Sequence, residues 1–429
     1  MRVSWSFAVV LTLFLVSSCS RSSQSADPGP LTRLDRSCRT AAAASAGNDT
    51  EIQRLQQALR DERTPSRAAE QLGYRFITRA RLSNDAGFYT LAEQAALCMA
   101  SSDAADPAAL LLRGHVLHQM HRFGEAELIA RRLVAGREYV LDYGLLGDAL
   151  MEQGRLTEAA TAYQKMIDLK PFYQSYTRAA HLRWLKGDLD GAIEMMQAAI
   201  KAASPRDPES VAWAYSRLGF YELQRGRLTD AERMIDASRR YIPDYAAALL
   251  VHGRIQLARG RRLEAVATLE RAARLNPLPE YKWAYADALR CLNRIDDARQ
   301  VEQQLAVAGS DDPRTFVLFL ATRRENRMQA IALARQELQK RSDIFTLDAL
   351  AWALASAGEL REAAPLMDRA LAEGTQDARL FLHAAWIAAA DGRIADARRW
   401  AGKARALQFT LLPSELGVLR TGTATSPRS

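Results

Sequence analysis

An alanine that returns at a near-constant interval constrains this chain more than any other feature. It stands at 126, 159, 192, 231, 265, 298, 330, 363 and 397, with spacings of 32 to 34 residues and a single spacing of 39. About five residues before most of these comes a glycine: Gly154, Gly187, Gly226, Gly260, Gly358 and Gly392. About twelve before comes Gly114, Gly147, Gly219 or Gly253, and Pro171, Pro243 and Pro277 close three units. A period of this length marks stacked units, none of which buries its apolar face alone. Each unit reads as helix, tight turn, helix, stop. A chain of 429 residues would otherwise suggest roughly two to four separate domains; the repeat replaces that expectation with one extended array. With 48% hydrophobic and 25% charged residues, a wholly disordered chain is excluded.

The unit resembles the tetratricopeptide repeat, a helix-turn-helix of about 34 residues. In the clearest copy, Tyr143, Leu146, Gly147, Leu150, Ala159, Tyr163, Met166 and Pro171 occupy the family's positions in order. Gly147 and Ala159 are small where two antiparallel helices must cross closely, and the larger residues recur at helical spacing to fill the seam. The resemblance implies an all-α fold, a right-handed superhelical solenoid of helix-turn-helix repeats. The array covers residues 107–412, about nine repeats. Residues 51–106 form an N-terminal helical cap with a degenerate repeat: Leu72, Gly73 and Phe76 in its first helix, a longer loop from Arg81 to Tyr89, and a second helix ending near Ala100. The units of Ala298 and Ala330 lack the glycine of the first helix, and Pro313 replaces a regular junction. The wide spacing falls in Ala203 to Pro208, an inserted loop or bend, and residues 413–429 read as a C-terminal tail.

Residues 1–18 have the grammar of a signal peptide, with Arg2, an apolar run from Trp5 to Val16, and small residues at the exit. That run is too short to span a bilayer comfortably. Val16-Ser17-Ser18-Cys19 resembles the lipobox of bacterial lipoproteins, which implies that Cys19 becomes the acylated first mature residue. Cleavage after Ala26 is the alternative and would release a soluble protein. Residues 19–50, rich in Ser, Ala and Arg, read as a tether. The lipobox resemblance implies attachment to a bacterial membrane, facing the periplasm or the exterior. Ser20 follows the cysteine where an Asp would resemble an inner-membrane retention signal, so the outer membrane is favoured where two are present. Cys38, Cys98 and Cys291 do not make a disulfide framework; one pair could oxidise in an exported protein, and no pairing is assigned.

No phosphate loop, nucleophile elbow, His-Glu-x-x-His or Cys-x-x-Cys is present, so no catalytic residue and no cofactor is expected. His115, His118 and His121 project over one arc of a helix and offer the alternative reading, a metal or small-ligand site centred on His115 and His118. Nothing in the sequence supplies its remaining ligands. The tryptophans say more. In the family, the first helix of each repeat lines a concave groove through its second, fifth, ninth, twelfth and thirteenth positions. Trp213 is then second, Trp283 fifth, Trp352 and Trp386 ninth, and Trp184 twelfth. Random placement would put about one of the six mature tryptophans there. Phe220 and Phe319 are ninth, and Arg254, Asp287 and Arg290 add polar groups. The expectation is a groove that binds an extended peptide or a partner helix; the alternative packs these rings between neighbouring first helices.

A clamp for acidic chaperone tails is not expected, because Leu111, His115, Gly144 and Asp148 stand where the family would need Lys, Asn and Arg. The net charge of +8 comes from scattered arginines such as Arg131-Arg132 and Arg239-Arg240, which suits a solvated face and argues against nucleic acid. The expected function is that of a non-catalytic, membrane-anchored scaffold that binds protein partners in the bacterial cell envelope.

Overall fold

The computed structural model describes residues 35–45, 47–61, 66–83 and 85–422; the leader and Cys19 lie outside them. Every regular element among the described residues is helical. Four helices come first: α1 (Arg36–Ala43), α2 (Thr50–Asp61), α3 (Ser66–Ser83) and α4 (Gly87–Ala100). Nine antiparallel pairs follow. They are α5 (Pro107–Gln119) with α6 (Phe123–Gly136), α7 (Val140–Glu152) with α8 (Leu156–Leu169), and α9 (Tyr173–Leu185) with α10 (Leu189–Ala202). Next come α11 (Pro208–Gln224) with α12 (Leu228–Tyr241), α13 (Ala246–Ala258) with α14 (Arg262–Leu275), and α15 (Pro279–Cys291) with α16 (Ile295–Val307). The last are α17 (Pro313–Arg323) with α18 (Arg327–Lys340), α19 (Ile344–Ala357) with α20 (Leu360–Leu371), and α21 (Ala378–Ala390) with α22 (Ile394–Ala406), after which α23 (Pro413–Gly422) ends the described chain. The nine pairs run from Pro107 to Ala406.

Local chemistry accounts for the punctuation. Asp106, Asp207 and Asp312 each cap a helix whose first residue is proline, their carboxylates accepting backbone N–H groups that the helix leaves free. Pro313 is therefore a regular helix start, and the 203–208 insertion resolves into a short link that leads into the long α11. The turn glycines have φ between 74° and 92°, a region costly for residues with a Cβ. Where a unit lacks that glycine, Asn293 (φ 59°), Arg324 (φ 58°) or His121 (φ 58°) takes the left-handed conformation instead.

The recurrent alanines are all buried, in the seam between the helices of a pair. A Cβ on Gly147 would lie 2.3 Å from the Tyr163 ring, and one on Gly253 2.4 Å from Leu269. The twelve-residue offset between the small residues of the two helices is thus a packing requirement.

Both ends differ from expectation. The 19–50 tether contains a helix, α1, which buries Cys38, Ala41 and Ala42 and is bonded to α4 by a Cys38–Cys98 disulfide. The loop expected over Arg81 to Tyr89 is shorter, since α3 runs to Ser83 and α4 starts at Gly87. The 413–429 tail begins with α23, whose Glu415 is buried and whose Leu416, Val418 and Leu419 join the core beside the preceding Leu412.

The superhelix closes on itself. Ser342, between α18 and α19, donates its hydroxyl to the Gln153 carbonyl at the α7–α8 turn (2.8 Å). One repeat further on, Thr375, between α20 and α21, donates to the Leu185 carbonyl at 2.5 Å, and Lys186 pairs with Glu373 at 2.5 Å. One further again, the Phe409 ring lies against Gly226, while Gln224 donates back to the Gln376 carbonyl beside Thr375. Turns of the second, third and fourth pairs thus meet the segments that follow the seventh, eighth and ninth, in constant register.

Candidate functional site: an inner face filled by its own chain

The chain itself covers most of the ten groove residues. Trp283 is fully buried, its Nε1 donating to Ser414 Oγ of α23 (3.2 Å). Asp287 accepts the Ser414 backbone N–H at 2.8 Å and an Arg323 guanidinium N–H at 3.2 Å. Burial outweighs those partners and pushes its carboxyl up to about 6. Phe319 meets Trp283 edge to face, and Arg290 pairs with Glu302 of α16. Trp352 is buried, stacks on His383 at 4.3 Å and donates to Thr322 Oγ1. Trp386 is half-buried, edge-on to Trp352, with Arg324 over its ring. Along α15, α17 and α19 the groove is filled by α23 and neighbouring first helices, so there the rings pack as in the alternative reading.

The remaining four, Trp184, Trp213, Phe220 and Arg254, line a chamber of about 380 Å³ inside the closed turn. Trp184 donates its Nε1 to Gln224 Oε1 (2.8 Å) and stacks on Phe345 from the opposite side of the ring (5.5 Å between centroids). Arginines 217, 254, 314, 341 and 379 all reach the chamber wall. Arg254 pairs with Glu280 at 2.8 Å. Arg341 lies 2.6 Å from Glu152 and 2.8 Å from Asp343, which also takes Arg314 at 3.2 Å. Asp343 caps α19 through the Phe345 and Thr346 amides. Burial would raise its pKa, but Arg314, Arg341 and the Thr346 hydroxyl overcome that and hold it at about 2. Arg379 pairs with Glu415 of α23, and Asp348 with His383 at 2.8 Å.

Sequence reasoning missed several wall residues that the same register contains. With Trp184 twelfth in its helix, His181 is ninth; Phe345 and Arg379 are second and Asp348 fifth in theirs. The register that selected Trp184, Arg254 and Asp287 was not applied to every groove position of every repeat. Arg217 and Arg314 occupy no groove position of the family and carried no such signal.

The histidine cluster does not converge. His115 sits edge-on to Tyr74, His118 edge-on to Phe123, and His121 stacks on Phe123. Burial and the Arg178 charge lower His115 to about 4, and no group of three metal-ligating side chains gathers among the described residues.

In comparison with known proteins, the chain matches the tetratricopeptide repeat family over residues 143–174, 177–246, 217–277 and 250–313. No curated protein matches it. Among solved structures it is similar to the human IFIT1 dimer with PPP-AAAA, at 14% identity and a TM-score of 0.46, over 72% of this chain and 73% of that one. It is also similar to a monomeric IFIT1 mutant with Gppp-AAAA, at 13% identity and a TM-score of 0.48, over 75% of each chain.

Proposed function

Because the chain belongs to the tetratricopeptide repeat family, whose members present helical-repeat surfaces to other proteins, we propose that it is a non-catalytic binding scaffold held at a bacterial membrane by an acylated Cys19. The Cys38–Cys98 disulfide carries the location, since such bonds persist in oxidising compartments outside the cytosol. Two acyl chains or more, as lipoprotein modification supplies, suffice for stable attachment. The bonded α1 begins 17 residues after Cys19, so the tether is short and the cap end of the solenoid lies nearest the bilayer. The outer membrane is favoured where the envelope has two.

The partner is a protein or peptide, met at the half-buried aromatics the closed turn leaves accessible, Trp213, Phe220 and Trp386. Two experiments test this. Palmitate labelling and membrane fractionation of wild type against Cys19→Ala should show label and membrane residence lost together. Crosslinked partners in the envelope should disappear with Trp386→Ala, Trp213→Ala in a protein that keeps its circular dichroism. Unchanged label in the first, or unchanged crosslinks in the second, overturns the corresponding half of the reading.

A further inference from the structure

The chamber holds a cation that no carboxylate among the described residues neutralises. Each of the other wall arginines has a carboxylate partner: Glu280 for Arg254, Asp343 for Arg314, Asp343 and Glu152 for Arg341, Glu415 for Arg379. Arg217 has none within salt-bridge distance among the described residues. Its guanidinium is held instead by neutral groups, 3.1 Å from His181 Nδ1 and 5.1, 5.5 and 5.4 Å from the ring centroids of Trp184, Phe220 and Tyr221. Burial, and then Arg217 itself, lower His181 to about 3, so the imidazole is neutral and its Nδ1 accepts.

Two further observations point to a missing acceptor. The buried Nε of Arg217 has no hydrogen-bond partner, and neither does the buried Nε of Arg254 on the same wall. Unpaired buried donors cost free energy that an acceptor would recover. A chamber of about 380 Å³ falls within the range of small-molecule sites, and half-buried Trp213, Arg217 and Phe220 leave it reachable from solvent.

We infer that the chamber binds a small organic anion with a flat apolar body, its acid group on Arg217 and its body against Trp184, Phe220 and Phe345. This goes beyond the scaffold reading and depends on neither the lipid anchor nor the protein partner. The aromatic walls and a single unneutralised cation suit a monoanion; a polyanion would need more free charge than the paired arginines leave.

The test uses the mature protein and two dyes of similar shape, anionic 8-anilinonaphthalene-1-sulfonate and uncharged N-phenyl-1-naphthylamine, titrated by fluorescence. One sulfonate dye should bind per chain, and Arg217→Gln should weaken it roughly tenfold or more while leaving the uncharged dye unaffected. Exposed Arg132→Gln should change neither. Phe220→Leu, which keeps the charge and thins the apolar wall, should weaken both dyes and stands as the second variant if Arg217→Gln does not fold. Benzoate should displace the sulfonate dye where inorganic phosphate does not. Sulfonate binding that is unchanged in Arg217→Gln, or unchanged in Phe220→Leu, overturns the proposal, as does binding of several dyes per chain. Displacement by phosphate as effective as by benzoate refutes the apolar body.

Discussion

Removing the Cys38–Cys98 bond should release α1 from the solenoid while leaving the repeats in place. The two cysteines are 60 residues apart, and for a loop of that size the chain-entropy relation amounts to about 14 cal/mol/K, or about 4 kcal/mol at 25 °C. What remains to hold α1 includes Ala41 and Ala42 in the core, hydrogen bonds from Gln56 to the Ala41 and Ala44 carbonyls, and one from Arg60 to the Ala42 carbonyl. Two turns of helix do not persist unaided in water. Hydrogen exchange resolved by mass spectrometry, comparing the oxidised protein with a Cys38→Ser, Cys98→Ser variant, should show α1 amides losing up to about a thousandfold of protection, 4 kcal/mol expressed as an opening constant. Amides of α19 should not change, because repeats couple to the elements they touch. Protection of α1 within about tenfold of wild type would refute the reasoning and assign its docking to packing alone. Loss spread evenly to α19 would refute the local coupling.

Two further outcomes follow from the closure. A Cβ at Gly187 would lie 2.3 Å from the Gly374 carbonyl oxygen, whereas one at Gly260 meets nothing within 4 Å, and both have positive φ (80° and 74°). Each valine variant should lose about 1–2 kcal/mol to left-handed backbone strain, but small-angle scattering should find a larger radius of gyration for Gly187→Val alone; equal radii would sink the closed turn. Asp343, held at about 2 against an ordinary 3.8, has a depressed folded-state pKa. Its stabilisation is therefore present above about pH 4 and lost as pH falls toward 2, about 2 kcal/mol in all. Stability curves for wild type and Asp343→Asn should converge over that acid interval, and a constant gap would contradict the assignment.

The repeats were legible because two kinds of small residue carry them: alanines in the seam and glycines in turns, both demanded by local geometry at fixed offsets. Pairs lacking the turn glycine were still found through Ala298 and Ala330, since the seam imposes its requirement independently of the turn. The closure was not legible. It arises from a small rotation per repeat accumulated over several repeats, and no residue of Gln153, Leu185 or Ser342 announces a partner more than 150 positions away. The groove tryptophans were assigned by register alone, and register does not say whether a face is covered. For α23, the alternation of Leu412, Leu416, Val418 and Leu419 around Glu415 was visible, and the polar residues after Thr421 drew the whole segment into the tail. In α1 the buried side chains are one cysteine and two alanines, too small to produce an amphipathic pattern distinct from a linker.

An open array of helical pairs tolerates the gain or loss of a unit, since each neighbour finds another of the same kind. Here that freedom is withdrawn. The stitches Gln153 to Ser342, Leu185 to Thr375 and Gly226 to Phe409 each join points a fixed number of units apart, so excising a unit that lies inside all three would set every stitch opposite the wrong residue at once. A duplication or deletion of a unit between α12 and α17 would therefore break the closure. The part of the molecule that encloses the chamber is counted: closure depends on its number of turns as well as on its residues.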